Sequence, residues 1–239
     1  MHPNSHEGVL NVVGRQIVEG QRPPGAVVTL EQLQTEFSVS RTVVREAMRV
    51  LESMSLVESR RRVGLIVRPR SEWSVFDPRI VRWRLAGSER ETQLRWLTEL
   101  RVAVEPWAAT QAAHHADAMQ GAQLRKIAAD MRALGEAGNL DEFLTADIEF
   151  HTSLMRASGN EMFGALSTVI AEVLSGRTNL GLMPHQPTEV ALDLHEAVAE
   201  AVAAGDAKRA QTEMSELLSE VRTALFGAQS MPAPIPTSL

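Results

Sequence analysis

Cysteine and tyrosine are absent from this 239-residue chain, and lysine is nearly so, with two residues beside 22 arginines. Without cysteine there can be no disulfide, thiolate zinc site, iron–sulfur cluster or cysteine nucleophile. No apolar run approaches the roughly 20 residues of a membrane span. The polar start MHPNSHEG lacks the apolar core of a secretory signal, so the expected location is the cytoplasm. Such an arginine bias is what a GC-rich genome produces and says little about chemistry. What is present is ordinary for a folded protein, with 44% hydrophobic and 23% charged residues. The length suits one large domain or two smaller ones, each able to bury a core.

The net charge of −6 hides an uneven division. Residues 1–70 carry +3 and residues 71–239 carry −9. Between 40 and 70, eight arginines face only Glu46, Glu52 and Glu58. A compact basic segment beside an acidic remainder fits a polyanion-binding module, although charge alone fits a solvated face equally well.

Local punctuation gives the elements. Val9, Val12, Val13 and Ile17 fall at helical spacing and stop at Gly20. After the turn Pro23-Pro24-Gly25 and the short extended run Ala26–Val28, Thr29 and Gln32 form a capping box for a short helix through Glu36. Ser40 caps a longer helix to about Met54. Val57 and Leu65–Val67 read as strands of a hairpin around Arg60–Gly64. Beyond Pro69 the pattern is helical. Asp77-Pro78 opens a linker helix, and further helices are expected at 90–115, 117–135, 141–157, 160–180, 188–203 and 206–226, the first kinked by Pro106. The expected organisation is a DNA-binding domain at 1–70, a linker helix within 71–87, an all-helical domain at 88–226 and a disordered tail at 227–239.

Three helices and a hairpin are the element order of a winged helix-turn-helix. Arg41, Arg45 and Arg49 recur every four residues and share one face of the candidate reader helix, opposite Val43, Val44, Ala47, Val50 and Leu51. Such a helix fits the major groove, where arginine pairs with guanine O6 and N7. The wing arginines Arg60, Arg61 and Arg62 can reach the adjacent backbone or minor groove. An ordinary amphipathic helix would also carry arginine on its wet face; the ordered combination is what separates the two readings.

The run Ser40-Arg41-Thr42-Val43-Val44-Arg45-Glu46-Ala47-Met48-Arg49-Val50-Leu51 resembles the signature of GntR-superfamily transcriptional regulators, as do Pro24-Gly25 and Gly64–Val67. The resemblance covers about 8–68. It implies operator contacts by Ser40, Arg41, Thr42, Arg45 and Arg49, with Gly64 at the wing tip. One residue departs from it: Glu31 stands where the family's second helix usually has arginine.

The remainder resembles the FCD effector domain of the FadR subfamily through Leu100-Arg101-x3-Glu105-Pro106, Asp147-x3-His151, Ser158-Gly159-Asn160 and His195-Glu196-Ala197-Val198. The linker from Trp73 to Trp83 is most similar to the branch of galactonate-operon repressors. Independently of the resemblance, Asp147 and His151 project to one side of a helix and are acceptable ligands for a divalent ion, and His195 can complete a three-point site. Zinc is the first choice, nickel or manganese the alternatives. The resemblance implies a further histidine where Leu217 stands, so the ligand set is incomplete, and a hydrogen-bonded Asp–His pair remains the competing reading. Arg101, at the family's R-x3-E position, is expected to clamp an effector carboxylate, with Asp147, His151, His195, Arg177 and Asn179 around it. Trp83, Trp96 and Trp107 are expected as packing anchors. His114 and His115 are expected at or near the surface, and His2, His6 and His185 exposed.

The fold expected is mainly α: a winged helix-turn-helix followed by an all-helical bundle. The function expected is a homodimeric DNA-binding regulator, a repressor acting on a palindromic operator and controlled by a small organic acid such as a sugar acid. The alternative from another class is a metal-dependent hydrolase using Asp147, His151 and His195. It leaves the basic N-terminal segment unexplained. An adaptor whose helical half only dimerises is a third reading.

Overall fold

Apolar residues at helical spacing in the first ninety positions close around one core. The computed structural model describes residues 5–179 and 187–227, apart from the side chain of Asn179. It divides into two compact units, Met1–Leu94 and Arg95–Leu239. The first holds α1 (His6–Val18), β1 (Val27–Val28), α2 (Leu30–Phe37), α3 (Arg41–Ser53), β2 (Val57–Arg60), β3 (Gly64–Val67) and α4 (Pro78–Ala86).

The expected caps are present. Thr29 and Gln32 exchange both capping-box bonds at the start of α2, and the Ser40 hydroxyl accepts from the Val43 amide at 3.4 Å at the start of α3. Ser38, in the left-handed region with φ 51°, turns the chain between these two helices. The hairpin gains a third strand, because the extended run before α2 pairs antiparallel with β3 (Val27 opposite Ile66, Val28 opposite Leu65), giving the order β1-β3-β2. Gly64 is where these strands meet. Its φ is 122°, and a Cβ there would lie 2.9 Å from the Val28 carbonyl oxygen, so a side chain would force the sheet apart.

The N-terminal core joins α1, α3 and the sheet through residues such as Val13, Ile17, Val44, Leu51 and Val67. The stretch read as a linker helix contributes to it: Ile80 and Trp83 of α4 are buried in the same cluster. Trp83 lies against α1 so closely that a Cβ on Gly14 would fall 2.2 Å from its ring, and its Nε1–H donates to Asn11 Oδ1 at 3.0 Å.

The second unit is built on α5 (Arg90–His115), α6 (Ala118–Glu136), α7 (Leu140–Ala157), α8 (Glu161–Ala165), α9 (Ser167–Asn179), α10 (Glu189–Ala203) and α11 (Ala207–Phe226). The single helix expected at 160–180 is two. Asn160 caps α8 by accepting from the Met162 amide, and the tightened bond from Leu166 N–H to Phe163 O ends it before α9 starts. Met131, Phe150, Leu154, Val198, Met214 and Leu218 centre the bundle core. Of the three tryptophans expected as packing anchors, only Trp83 is one. Trp83 is 2% exposed, whereas Trp96 and Trp107 are 50% and 52% exposed on α5. They are eleven residues apart, three helical turns, and so lie on one outward stripe rather than in the core. His114 and His115 are exposed, as expected. The expectations for His2, His185 and the tail beyond Gly227 concern positions outside the described residues.

Candidate functional sites

Burial divides α3 into two faces. Val44, Ala47 and Leu51 are buried in the N-terminal core, which turns Arg41, Thr42, Arg45 and Arg49 to the exposed side. Exposed Ser40 is at the helix N-terminus beside Arg41, where free backbone N–H groups favour an anion. The arginines are not equivalent. Arg49 Nη1 is 2.8 Å from Glu46 Oε1, and Arg60 Nη2 is 2.7 Å from Glu58 Oε1. No ion pair engages Arg41, Arg45, Arg61 or Arg62 among the described residues. The wing tip is Arg61-Arg62-Val63, with Arg62 at φ 66°; Gly64 sits one step back, paired with Arg60 in the ladder. Gly64 therefore serves the packing of the sheet directly. Glu31 is exposed in the first turn of α2.

The second unit contains a buried polar cluster, assembled from α5, α7, α9 and α10. On α7, Asp147 and His151 are one turn apart and face inward. His151 Nε2 and His195 Nε2 each lie 3.3 Å from Asp147 Oδ1. The outer nitrogens fix the tautomers. His195 Nδ1 lies 2.6 Å from the Ala191 carbonyl oxygen, which can only accept, so Nδ1 carries the proton. His151 Nδ1 lies 2.6 Å from Glu105 Oε2 and donates to that carboxylate. In their neutral forms, with the outer nitrogens donating, the two rings turn two lone pairs and a carboxylate oxygen toward one another, and buried His195 Nε2 has no hydrogen-bond partner among the described residues. Three acceptors facing one point fit a divalent cation, with the carbonyl and Glu105 as the outer support that ligating histidines usually have. Leu217, where a fourth ligand was implied, is buried and lines the adjoining space with carbon.

Arg101 is engaged differently from the expected clamp. Its Nε donates to Glu105 Oε1 at 2.5 Å and its Nη2 to Oε2 at 3.4 Å. Nη2 also lies 3.2 Å from His151 Nε2, so guanidinium and a cation compete for that lone pair. Burial works against every charge here, yet the net shifts favour ionisation. The Arg101 and His151 charges bring Glu105 down to about 2. Against the opposing effect of burial, His151 and His195, each 3.3 Å from its Oδ1, hold Asp147 well below the usual carboxylate range. The same balance, burial against the Glu105 charge, leaves His151 raised. Glu105 is the residue that sequence reasoning undervalued. It was visible four residues after Arg101, but its second partner, on α7, was not.

Arg177 is the opposite case. It is 6% exposed, with no hydrogen bond or ion pair to a described residue. Burial and the neighbouring Arg101 charge lower its pKa to about 10. Arg101, Asp147, His151, Arg177 and His195 all line one cavity of about 500 Å³. The side chain of Asn179 lies outside the described residues. The arrangement offers one uncommitted buried cation and three convergent metal-type ligands at the wall of an otherwise largely apolar space.

Comparison with known proteins agrees with both halves. The profile of the bacterial regulatory proteins of the gntR family matches residues 7–67, and that of the FCD domain matches residues 97–220. The galactonate operon transcriptional repressor of Escherichia coli is 29% identical, covering 87% of this chain and 91% of that protein. The probable D-xylose utilization operon transcriptional repressor of Paenarthrobacter nicotinovorans is 27% identical, covering 85% and 80%. Among solved structures, a Streptococcus agalactiae GntR protein superposes with a TM-score of 0.50 at 24% identity, covering 91% of this chain and 98% of that one. The Lar protein of Listeria monocytogenes gives 0.54 at 18%, covering 94% and 97%. These two show the fold alone. The profiles and relatives are regulators, which overturns the hydrolase alternative for Asp147, His151 and His195. No described helix is long and apolar enough to cross a membrane. With a DNA-reading half and an effector half both matched, the chain belongs to the GntR family of transcriptional regulators, in the group that carries an FCD domain.

Proposed function

We propose that this regulator is a homodimeric repressor, working in the cytoplasm, whose grip on a palindromic operator is set by a small organic acid bound in the cavity of the second unit. The observation that carries the reading is Arg177: a buried guanidinium without a partner is costly unless an anion completes it. Arg101 is already neutralised by Glu105, so Arg177 is the better carboxylate clamp. Asp147, His151 and His195 would hold a divalent ion, zinc first, and the ion would supply a Lewis-acidic point for an effector oxygen. The names of the galactonate and D-xylose repressors support a sugar-derived acid. Residues from α5, α7, α9, α10 and α11 line the cavity, so a ligand that draws them together favours one arrangement of the helices. Operator affinity falls by as much as the ligand prefers that arrangement.

On the DNA side, Ser40, Arg41, Thr42 and Arg45 enter the major groove, and Arg61 and Arg62 follow the backbone. Two copies related by a two-fold axis present two such helices, and the half-exposed Trp96 and Trp107 of α5 offer apolar area to that pairing. Arg45→Ala should weaken binding to the upstream region of the gene by about 1–3 kcal/mol, roughly ten- to a hundredfold, with sequence preference relaxed. Fluorescence anisotropy at fixed salt checks this; wild-type affinity in the variant would remove Arg45 from the reading face. For the effector half, aldonic acids should release the wild-type protein from that DNA, whereas Arg177→Leu should stay bound at the same acid concentration. Release of the variant by the same dose would disprove the clamp.

A further inference from the structure

The acid site proposed above contains a second charge that its reading leaves unused. Glu220 on α11 lines the same cavity as Arg177. Its Oε1 accepts from the Thr188 hydroxyl at 3.2 Å, and Thr188 is itself fixed as the N-cap of α10, accepting from the Ala191 amide at 3.1 Å. Glu220 is thus held in place by the start of a neighbouring helix. No cation pairs with it among the described residues. The surrounding wall is carbon: Pro187, Leu217, Val221 and Ala224.

We infer that Glu220 makes this cavity select a hydroxylated monocarboxylate over the corresponding dicarboxylate. The inference rests on the cavity being the effector site. A carboxylate only accepts hydrogen bonds, so it complements the O–H donors of a polyol chain. It repels a second carboxylate placed beside it. The cation inventory points the same way. Arg101 is spent on Glu105, and Arg177, the remaining buried guanidinium of the cavity, already feels the Glu220 charge, so Glu220 offsets positive charge that a second carboxylate would need. A cavity of about 500 Å³ has room for an extended six-carbon acid.

Aldonic and aldaric acids of gluco and galacto configuration form matched probes, differing only in whether the terminal carbon is a hydroxymethyl or a carboxylate. Isothermal titration of the zinc-loaded full chain should show the better aldonic acid binding at least about tenfold tighter than its aldaric counterpart. Glu220→Gln keeps an acceptor for Thr188 and removes the charge. It should narrow the ratio to within about threefold, mainly through tighter aldarate binding. Equal binding of the pair by the wild type, or an unchanged ratio in Glu220→Gln, overturns the role of Glu220 and leaves the acid site standing. Binding of neither class overturns the effector-site reading, and this inference with it.

Discussion

Replacing Glu105 by glutamine should lower the stability of the protein's second unit by about 3–5 kcal/mol. The residue is fully buried and serves two partners, the Arg101 guanidinium and His151 Nδ1. Glutamine keeps the shape but leaves the guanidinium as an uncompensated buried charge, and breaking one side of such a pair is the expensive change. For a unit of this size the loss corresponds to roughly 6–20 °C in melting temperature by calorimetry. The pair as a whole is expected to contribute far less than either single replacement suggests. Glu105→Met combined with Arg101→Met should therefore recover much of the stability, as apolar replacements of buried ion pairs often do. The sign with pH is fixed by the lowered carboxyl. Its folded value is about 2 against an ordinary 4.5, so the stabilisation is complete above 4.5 and is lost as pH falls through 2. Wild type should destabilise across that window, and Glu105→Gln should lack this part of the slope. A melting temperature within a degree of wild type at neutral pH would show that the carboxylate is not compensating Arg101.

The contrast between Glu105 and the caps shows what a sequence can reveal. Thr29 with Gln32, Ser40, and Asp77 before Pro78 act within one helical turn, so their partners are written beside them. The reader helix is legible for the same reason: its buried Val44, Ala47 and Leu51 and its exposed arginines alternate at the helical period. Tryptophans are different. Trp83 and Trp107 sit in similar helical text, yet one fills the notch at Gly14 and the other faces outward, because only the packing partner decides. The added strand had the same origin, since pairing Val27–Val28 with β3 depends on a fold-back across α2 and α3. In the polar cluster the one-turn pair Asp147 and His151 is readable from spacing, with His195 as a third ligand on a later helix. The commitment of Arg101 to Glu105 and His151, and the presence of Glu220 on the same cavity, depend on helices far apart in the chain.

Adding zinc to metal-stripped protein should raise its melting temperature, and His195→Ala should abolish the rise. A ligand at a thousandfold its dissociation constant adds about 4 kcal/mol to the folded state, roughly 8–16 °C for a unit of this size. The two histidines are unequal controls. His195 has the Ala191 carbonyl on its outer nitrogen and packs edge-on against Phe150 and His151, so its removal costs one hydrogen bond and those ring contacts besides the ligand atom, but it leaves Glu105 and Arg101 paired. His151 also satisfies Glu105 and contacts Arg101, and His151→Ala should lower stability even without zinc. Separating the metal effect from that background is why His195 is the cleaner test. Protons compete for the same lone pairs. Because the Glu105 charge, against burial, raises His151 above an ordinary histidine, zinc affinity should go on rising with pH beyond the range in which unperturbed imidazoles, with pKa about 6.5, would level off. If the zinc-induced rise survives in His195→Ala, or is absent from wild type at pH 8, the three convergent groups are a hydrogen-bonded polar core instead.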